Sequence, residues 1–339
     1  MGKVKVGVAG FGVIGQRLAD GAARQEDMEL VGVADVAPTL PVRALAESGM
    51  PYRMFAAAPG ATDALTAAGI PVSGEFDDLL AEVDIMLDAA PGGIGAKNKE
   101  KYVQRGVKAI FQGGEKSEVA DVFFHGYANY EKGLGQNYLK LTSCNTTGLI
   151  RTVDCLDRTI GIDKTAITII RRVADPGDTH RGLVDSLQME PIPNHQAVDL
   201  MNIMPHIDAT GLLVHTPVTH GHIITIVATP KHKTTPDEVI EAFEAHPRIR
   251  VVRIADGFTT NTSLFNYARF LGHKRGDMYE VGLFEETVGM SGEDVMFAVN
   301  IPQESVVIPE TIDGIRAALR LQEDRLEAVG MTNQYLGMA

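Results

Sequence analysis

Val4-Lys5-Val6-Gly7-Val8-Ala9-Gly10-Phe11-Gly12-Val13-Ile14-Gly15 is a short β-branched run that passes directly into glycines spaced Gly-x-Gly-x-x-Gly. It reads as a strand, a tight turn and the start of a helix, with Ile14, Leu18 and Ala22 on one helical face. The glycine spacing alone is weak evidence; its setting makes it strong. A second buried-strand pattern, Leu30 to Asp35, closes on an acidic residue twenty positions past Gly15. In such a unit Gly10 permits the turn, Gly12 lets backbone approach a pyrophosphate, and Gly15 lets helix meet sheet. The helix N-terminus offers unpaired N–H groups to phosphates. Asp35 can accept hydrogen bonds from an adenosine ribose, and its charge repels a 2′-phosphate. NAD is therefore the favoured cofactor and NADP the second candidate. A glycine-rich turn with no ligand is the plain alternative.

Outward from this unit, Val83–Ala90, Val107–Gly114 and Tyr138–Cys144 repeat the strand design, with helical stretches between. That alternation predicts an α/β Rossmann NAD(P)-binding domain with a parallel sheet covered on both faces. Past Cys144 the pattern changes. Thr146 to Thr159 reads as a helix, Thr165 to Asp175 as a long strand, and Asp175 to His206 as a polar stretch bearing Pro and His. Leu212–Pro230 and Val295–Ile301 alternate with period two. This predicts an α+β catalytic domain with a mainly antiparallel sheet. The final segment places Ile312, Ile315 and Leu319 on one helical stripe. There is no internal repeat, low-complexity tract or charge block, so no flexible linker is expected.

Composition narrows the function. With 339 residues, 45% apolar and 22% charged, the chain suits two folded domains rather than a disordered state. Lys plus Arg number 31 against 44 Asp plus Glu, a net charge of −13. That balance argues against nucleic acid or an anionic membrane as partner, and leaves a small anionic ligand open, since a site needs only a few local cations. No apolar run approaches the ~20 residues of a membrane helix. The start lacks a signal-peptide core, and Val6 stands where a myristoylation signal has Ser or Thr. A cytoplasmic address is expected. Cys144 and Cys155 on one helix would stand roughly 16 Å apart, beyond disulfide reach, so both are expected as thiols.

Ser143-Cys144-Asn145-Thr146-Thr147-Gly148-Leu149 sits where a strand hands over to a helix. A thiol there meets the helix N-terminus, which is expected to favour thiolate and lower its pKa. The same N–H groups can stabilise an oxyanion. A nicotinamide site with an activated cysteine suggests aldehyde oxidation through a hemithioacetal and a thioester, released by phosphate or water. Cys155, three turns deeper, reads as packing; a buried small hydrophobe is also the plain alternative for Cys144.

Along nearly its whole length the chain resembles the archaeal-type (type II) glyceraldehyde-3-phosphate dehydrogenases. The matching stretches are the glycine loop, Phe111-Gln112-Gly113-Gly114-Glu115-Lys116, Ser143 to Leu149, Arg171-Arg172, the His220-x-His222 pair, and Gln303-Glu304-Ser305 before Pro309. The resemblance implies a dinucleotide-binding domain over residues 1–143, a catalytic domain over 144–303, and a C-terminal helix over 304–339 returning to the first domain. It implies a phosphorylated aldehyde and inorganic phosphate as substrates, and a homotetramer. Cys144 would be the nucleophile and His220 the base. Ser143, Asn145, Arg171, His195, Gln196 and His222 would line the substrate, and Val13, Ile14, Gly114, Arg172 and Gln303 the cofactor. Arg171 and Arg172 are neighbours on a strand and point to opposite faces, so one is expected to bind phosphate. His220 and His222 share a strand face, a spacing that could also suit two metal ligands, but no third ligand accompanies them and no metal is expected. A structural histidine pair is the plainer alternative.

Three departures from the family pattern stand out. Asp35 occupies a position where members often carry a lysine associated with NADP. His195-Gln196 replaces two adjacent histidines. Thr216-Pro217-Val218-Thr219 differs from the usual approach to the His-x-His. The last two leave room for a different anionic aldehyde on the same machinery. Aspartate-semialdehyde and N-acetylglutamyl-phosphate dehydrogenases share the logic but carry other cysteine motifs. A catalytically silent NAD-binding regulator is the rival from another class; Cys144 and His220 weigh against it.

Overall fold

The structure is a computed structural model and describes residues 2–112, 114–173 and 186–338. It divides into two compact units, Met1–Thr142 with Ile308–Ala339, and Ser143–Val307. The boundaries thus fall at 142/143 and 307/308, rather than at 143/144 and 303/304.

The first unit carries seven strands: β1 (Val4–Ala9), β2 (Met28–Asp35), β3 (Arg53–Ala56), β4 (Ile85–Asp88), β5 (Lys108–Phe111), β6 (Val122–Phe124) and β7 (Tyr138–Leu141). Their order is β3-β2-β1-β4-β5-β7-β6, and every pairing is parallel. The order reverses between β1 and β4, the switch point outside which such sheets bind ligands. Helices α1 (Val13–Ala23), α2 (Leu40–Glu47), α3 (Ala61–Ala67), α4 (Phe76–Leu80) and α5 (Ile94–Arg105) connect the strands. Phe55, Phe76, Tyr102 and Phe111 fill one core cluster of this unit. Within α1, Leu18 and Ala22 are buried while Ile14 is half-buried.

In the second unit, α6 (Cys144–Ile160) precedes β8 (Ile162–Arg172), β9 (Gln188–Glu190), α7 (His195–Ile203), β10 (Asp208–Thr216) and β11 (His222–Pro230). Then come α8 (Pro236–Glu244), β12 (Ile249–Val252), α9 (Ser263–Phe270), β13 (Val281–Phe284), β14 (Gly289–Ser291) and β15 (Asp294–Ile301). The sheet runs β12-β13-β15-β11-β8-β10-β9, with β14 on β15. Its pairings are antiparallel except β8 with β10 and β12 with β13. Helix α6 packs on this sheet, and Gly148 is what lets it approach: a Cβ there would lie 2.3 Å from the Ile301 side chain.

The last segment returns to the first unit as two helices, α10 (Ile308–Ala318) and α11 (Arg325–Leu336), instead of the single helix expected. Every residue of α10 is buried. Gly21 of α1 faces Ile308, Ile312 and Leu336. Arg316 clamps the segment through Asp27, Gln25 and Thr332. The polar stretch contains a helix, α7, that its composition concealed; Asp175, the expected end of the long strand, lies outside the described residues.

Candidate active site

The glycine turn is built as its spacing requires. Gly10 has φ +83° and passes so close to the β4 exit that a Cβ would lie 2.9 Å from the Ala89 carbonyl oxygen. A Cβ on Gly15 would lie 1.8 Å from the Gly10 carbonyl oxygen, so these two glycines are demanded by the protein itself. Gly12 differs: nothing lies within 4 Å of where its Cβ would stand. That open space, at the N-cap of α1 with no side-chain cap, leaves room for a pyrophosphate to approach the helix N–H groups. Val13 is exposed and Ile14 half-buried beside it. Asp35 accepts from the Phe11 N–H (2.8 Å) through Oδ2 and from the Val36 N–H (2.7 Å) through Oδ1. Its carboxylate thereby ties the end of β2 to the glycine turn. These residues fit a dinucleotide.

Sequence reasoning missed Asp88, which ends β4 at the switch point as Asp35 ends β2. Buried Asp88 accepts from Tyr102 Oη–H (2.6 Å), Asn98 (2.9 Å) and the Ala90 N–H (3.1 Å). Burial raises its pKa. It holds the loop in which Gly92 meets Gly114, where a Cβ on Gly92 would lie 2.9 Å from the Gly114 carbonyl oxygen. A signal was present: the expected strand Val83–Ala90 carries Asp88 two residues before its end.

In the second unit Ser143 is the N-cap of α6 and Cys144 its first residue. Cys144 Sγ lies 3.6 Å from Nε2 of His222. This corrects the expectation that His220 is the partner of the thiol. The alternation argument failed because β11 begins at His222 and Gly221, with φ +68°, turns the chain just before it. The two rings therefore enter different surroundings. His220 bonds Thr219 through Nδ1 (2.9 Å) and stands 4.4 Å from the Phe265 ring. It lines a small cavity with Asn261, Gln303 and Glu304. Among the described residues no group of three or more His, Cys, Asp or Glu could hold a metal ion.

His222 is held from behind. The Arg172 N–H donates to its Nδ1 at 3.1 Å. With Nδ1 an acceptor, the neutral ring carries its proton on Nε2 and aims it at Sγ; the tautomer is assigned from this bond. Burial holds the His222 pKa well below its ordinary value, and the charges of Arg172 and Arg171 add to the fall. Cys144 keeps part of its surface open to solvent, yet burial around the sulfur pushes its pKa up. Arg171, Arg172 and the Asn145 N–H pull it partly back. The lowered thiol pKa expected at the helix start is therefore not found: the Asn145 N–H pulls it down, but desolvation outweighs that pull. Both shifts favour the uncharged forms, thiol and neutral imidazole.

The two arginines separate cleanly. Arg172 is buried, donates to the Thr219 carbonyl (2.6 Å) and pairs with Glu304 (2.8 Å), so its charge is spent on architecture. Arg171 is half-buried, and no ion pair of its guanidinium is present among the described residues. Opposite it in the β8–β10 register is His215, which bonds Glu190 (2.7 Å). His195 opens α7 and receives a 2.7 Å bond from Gln196. The side-chain oxygens of Asn145, Gln196 and Gln303 are buried without hydrogen-bond partners among the described residues, acceptors awaiting a donor. Cys155 is buried and donates to the Ala242 carbonyl.

A nucleotide cradle on a doubly wound sheet and a thiol–imidazole pair at a helix start point to one class: dehydrogenases that pass an aldehyde through a covalent cysteine adduct. Residues 143–265 match the family model described as glyceraldehyde 3-phosphate dehydrogenase, C-terminal domain. Glyceraldehyde-3-phosphate dehydrogenase of Pyrococcus furiosus is 39% identical over 338 residues, 99% of each chain. The enzymes of that name from Methanothermobacter thermautotrophicus and Archaeoglobus fulgidus are each 37% identical, covering 99% and 100% of this chain and 99% of their own. Aspartate semialdehyde dehydrogenase II of Vibrio cholerae, solved with ASA, shares the fold: TM-score 0.66, 15% identity, 94% of this chain and 99% of that one. The chain belongs to the glyceraldehyde-3-phosphate dehydrogenase family.

Proposed function

We propose that the protein oxidises glyceraldehyde 3-phosphate to an acyl phosphate, with inorganic phosphate as acceptor and a nicotinamide dinucleotide as oxidant. Family membership supports the reaction, and the Cys144–His222 contact is the observation that carries its mechanism. Gly10, Gly12, Gly15 and the α1 N-terminus would hold the pyrophosphate, with Asp35 at the adenosine ribose. When bound, the nicotinamide takes up the hydride that leaves the aldehyde carbon.

The remaining chemistry belongs to the chain. Cys144 loses its proton to solvent, and its thiolate attacks C1; a C–S bond forms and the carbonyl π pair moves onto oxygen. The Nε2–H of His222 donates to that developing charge, where a preorganised donor is worth most. His222 thus acts as hydrogen-bond donor, since taking up a further proton would set an Nδ1–H against the Arg172 N–H. Departure of hydride restores the carbonyl as a thioester. A phosphate oxygen then adds to it, the C–S bond breaks, and thiolate leaves. Arg171 is the cation for phosphate, with Gln196 and His195 beside it; Arg172 is committed to Glu304.

Asp35 makes NAD the preferred cofactor, since a 2′-phosphate would meet its carboxylate. The reading carries with it a cytoplasmic address and a homotetramer; no helix among the described residues is long and apolar enough to cross a membrane. The test is formation of reduced nicotinamide from glyceraldehyde 3-phosphate, phosphate and either NAD or NADP. Turnover that requires phosphate and prefers NAD is expected, and Asp35→Lys should move the preference toward NADP. Turnover of another anionic aldehyde but not this one would overturn the substrate and leave the thiol chemistry standing.

A further inference from the structure

Ser143 occupies the N-cap of α6, where a serine ordinarily turns its oxygen onto the free N–H groups of the first turn. It makes no such bond. Its hydroxyl instead lies 2.9 Å from Oγ1 of Thr146, and Thr146 donates to Oδ2 of Asp199 at 3.1 Å. Thr146 is fully buried on α6, and Asp199 comes from α7. A hydroxyl has one proton to give, and an ionised carboxylate can only accept. The Thr146 proton is therefore committed to Asp199, and Thr146 Oγ1 can only accept from Ser143. This gives the three-residue chain a single direction. Ser143, next in sequence to Cys144, spends its proton on Thr146 and has only lone pairs left for a further partner.

We propose that Thr146 and Asp199 are positioning residues that keep the Ser143 hydroxyl an acceptor, and that this acceptor selects aldehydes carrying a hydroxyl on C2. The inference rests on Cys144 as nucleophile, the reading given above. C2 is one bond from the carbon that joins Sγ, so a group on it falls beside the residue adjoining Cys144. A C2 hydroxyl supplies the proton that Ser143 lacks, whereas an aldehyde without that hydroxyl leaves the acceptor unmatched, which is how polar sites discriminate. A departure from a local capping preference at a reactive residue is where function is expected to override propensity.

The test compares kcat/KM for glyceraldehyde 3-phosphate and for 3-phosphooxypropanal, which lacks the C2 hydroxyl, in the full-length protein and in Thr146→Ser, Thr146→Val and Asp199→Asn. The unaltered protein should prefer the hydroxylated substrate by about tenfold, the scale of one hydrogen bond. Thr146→Ser should keep that preference. Thr146→Val and Asp199→Asn should lower kcat/KM for glyceraldehyde 3-phosphate and leave the analogue unchanged, bringing the ratio toward one. Equal losses on both substrates, or an undiminished ratio in both variants, would overturn the proposal. Asp199 is only half-buried, so Asp199→Asn still gives the readout if Thr146→Val does not fold. A protein that turns over both aldehydes without preference loses this inference alone; one that turns over neither loses the proposed function with it.

Discussion

His222 faces Cys144 with a proton on Nε2 because the Arg172 N–H occupies its other nitrogen. Burial raises the thiol pKa and lowers that of the imidazole, and both shifts disfavour a thiolate–imidazolium pair. Alkylation of Cys144 by neutral iodoacetamide should consequently be slow near neutral pH and climb toward alkaline pH. Fast reaction independent of pH from about pH 6 upward would show an ion pair and contradict this assignment. His222→Ala should lower kcat by about two orders of magnitude, the scale of a lost oxyanion donor. His222→Asn, which can still donate, should recover part of that loss; steady-state rates decide. Arg171→Ala should raise KM for the phosphorylated substrate about tenfold or more with an unchanged melting temperature. Arg172→Ala instead leaves Glu304 without its partner and should destabilise the fold by about 3 kcal/mol in chemical denaturation. The placement of Cys144 at a strand-to-helix junction was legible in the sequence. His222 was not distinguishable from His220, because the deciding fact is the backbone turn at Gly221.

Among the elements, the glycine turn separates structural from ligand demand. Gly15→Ala drives a Cβ into the Gly10 carbonyl, so it should destabilise the first unit and abolish nucleotide binding together. Gly12→Ala meets open space in the protein, so its melting temperature should stay put while NAD affinity, read by calorimetry, falls about tenfold or more. Loss of stability in Gly12→Ala would remove the argument for a cradle. The β-α-β opening was legible because hydrophobic runs, glycines and Asp35 all agree. Helix α7 was not, although Ala197, Leu200 and Ile203 are buried at helical spacing behind the Asn194 cap. The prolines and histidines around it masked a short period. The parallel β8–β10 pair was equally hidden, since alternation records a covered face and carries no strand direction.

At the scale of the whole molecule, the first unit needs both ends of the chain. Deleting residues 308–339 removes the wholly buried α10 and the Arg316–Asp27 pair. The expected result is loss of the cooperative unfolding of the first unit, followed by differential calorimetry. The returning segment was suggested by family resemblance; composition and periodicity alone do not say what a terminal helix packs against. Net charge was the least informative quantity. At −13 the chain still arranges Arg171 and Arg172 around its thiol, so local geometry decides anion binding. In the proposed reaction Cys144 carries the substrate as a thioester. Intact-mass and peptide analysis of protein mixed with glyceraldehyde 3-phosphate and NAD, without phosphate, tests it most directly. An acyl adduct on Cys144 that vanishes when phosphate is added is the predicted result. An adduct on another residue, or reduction of NAD by Cys144→Ser, would contradict it.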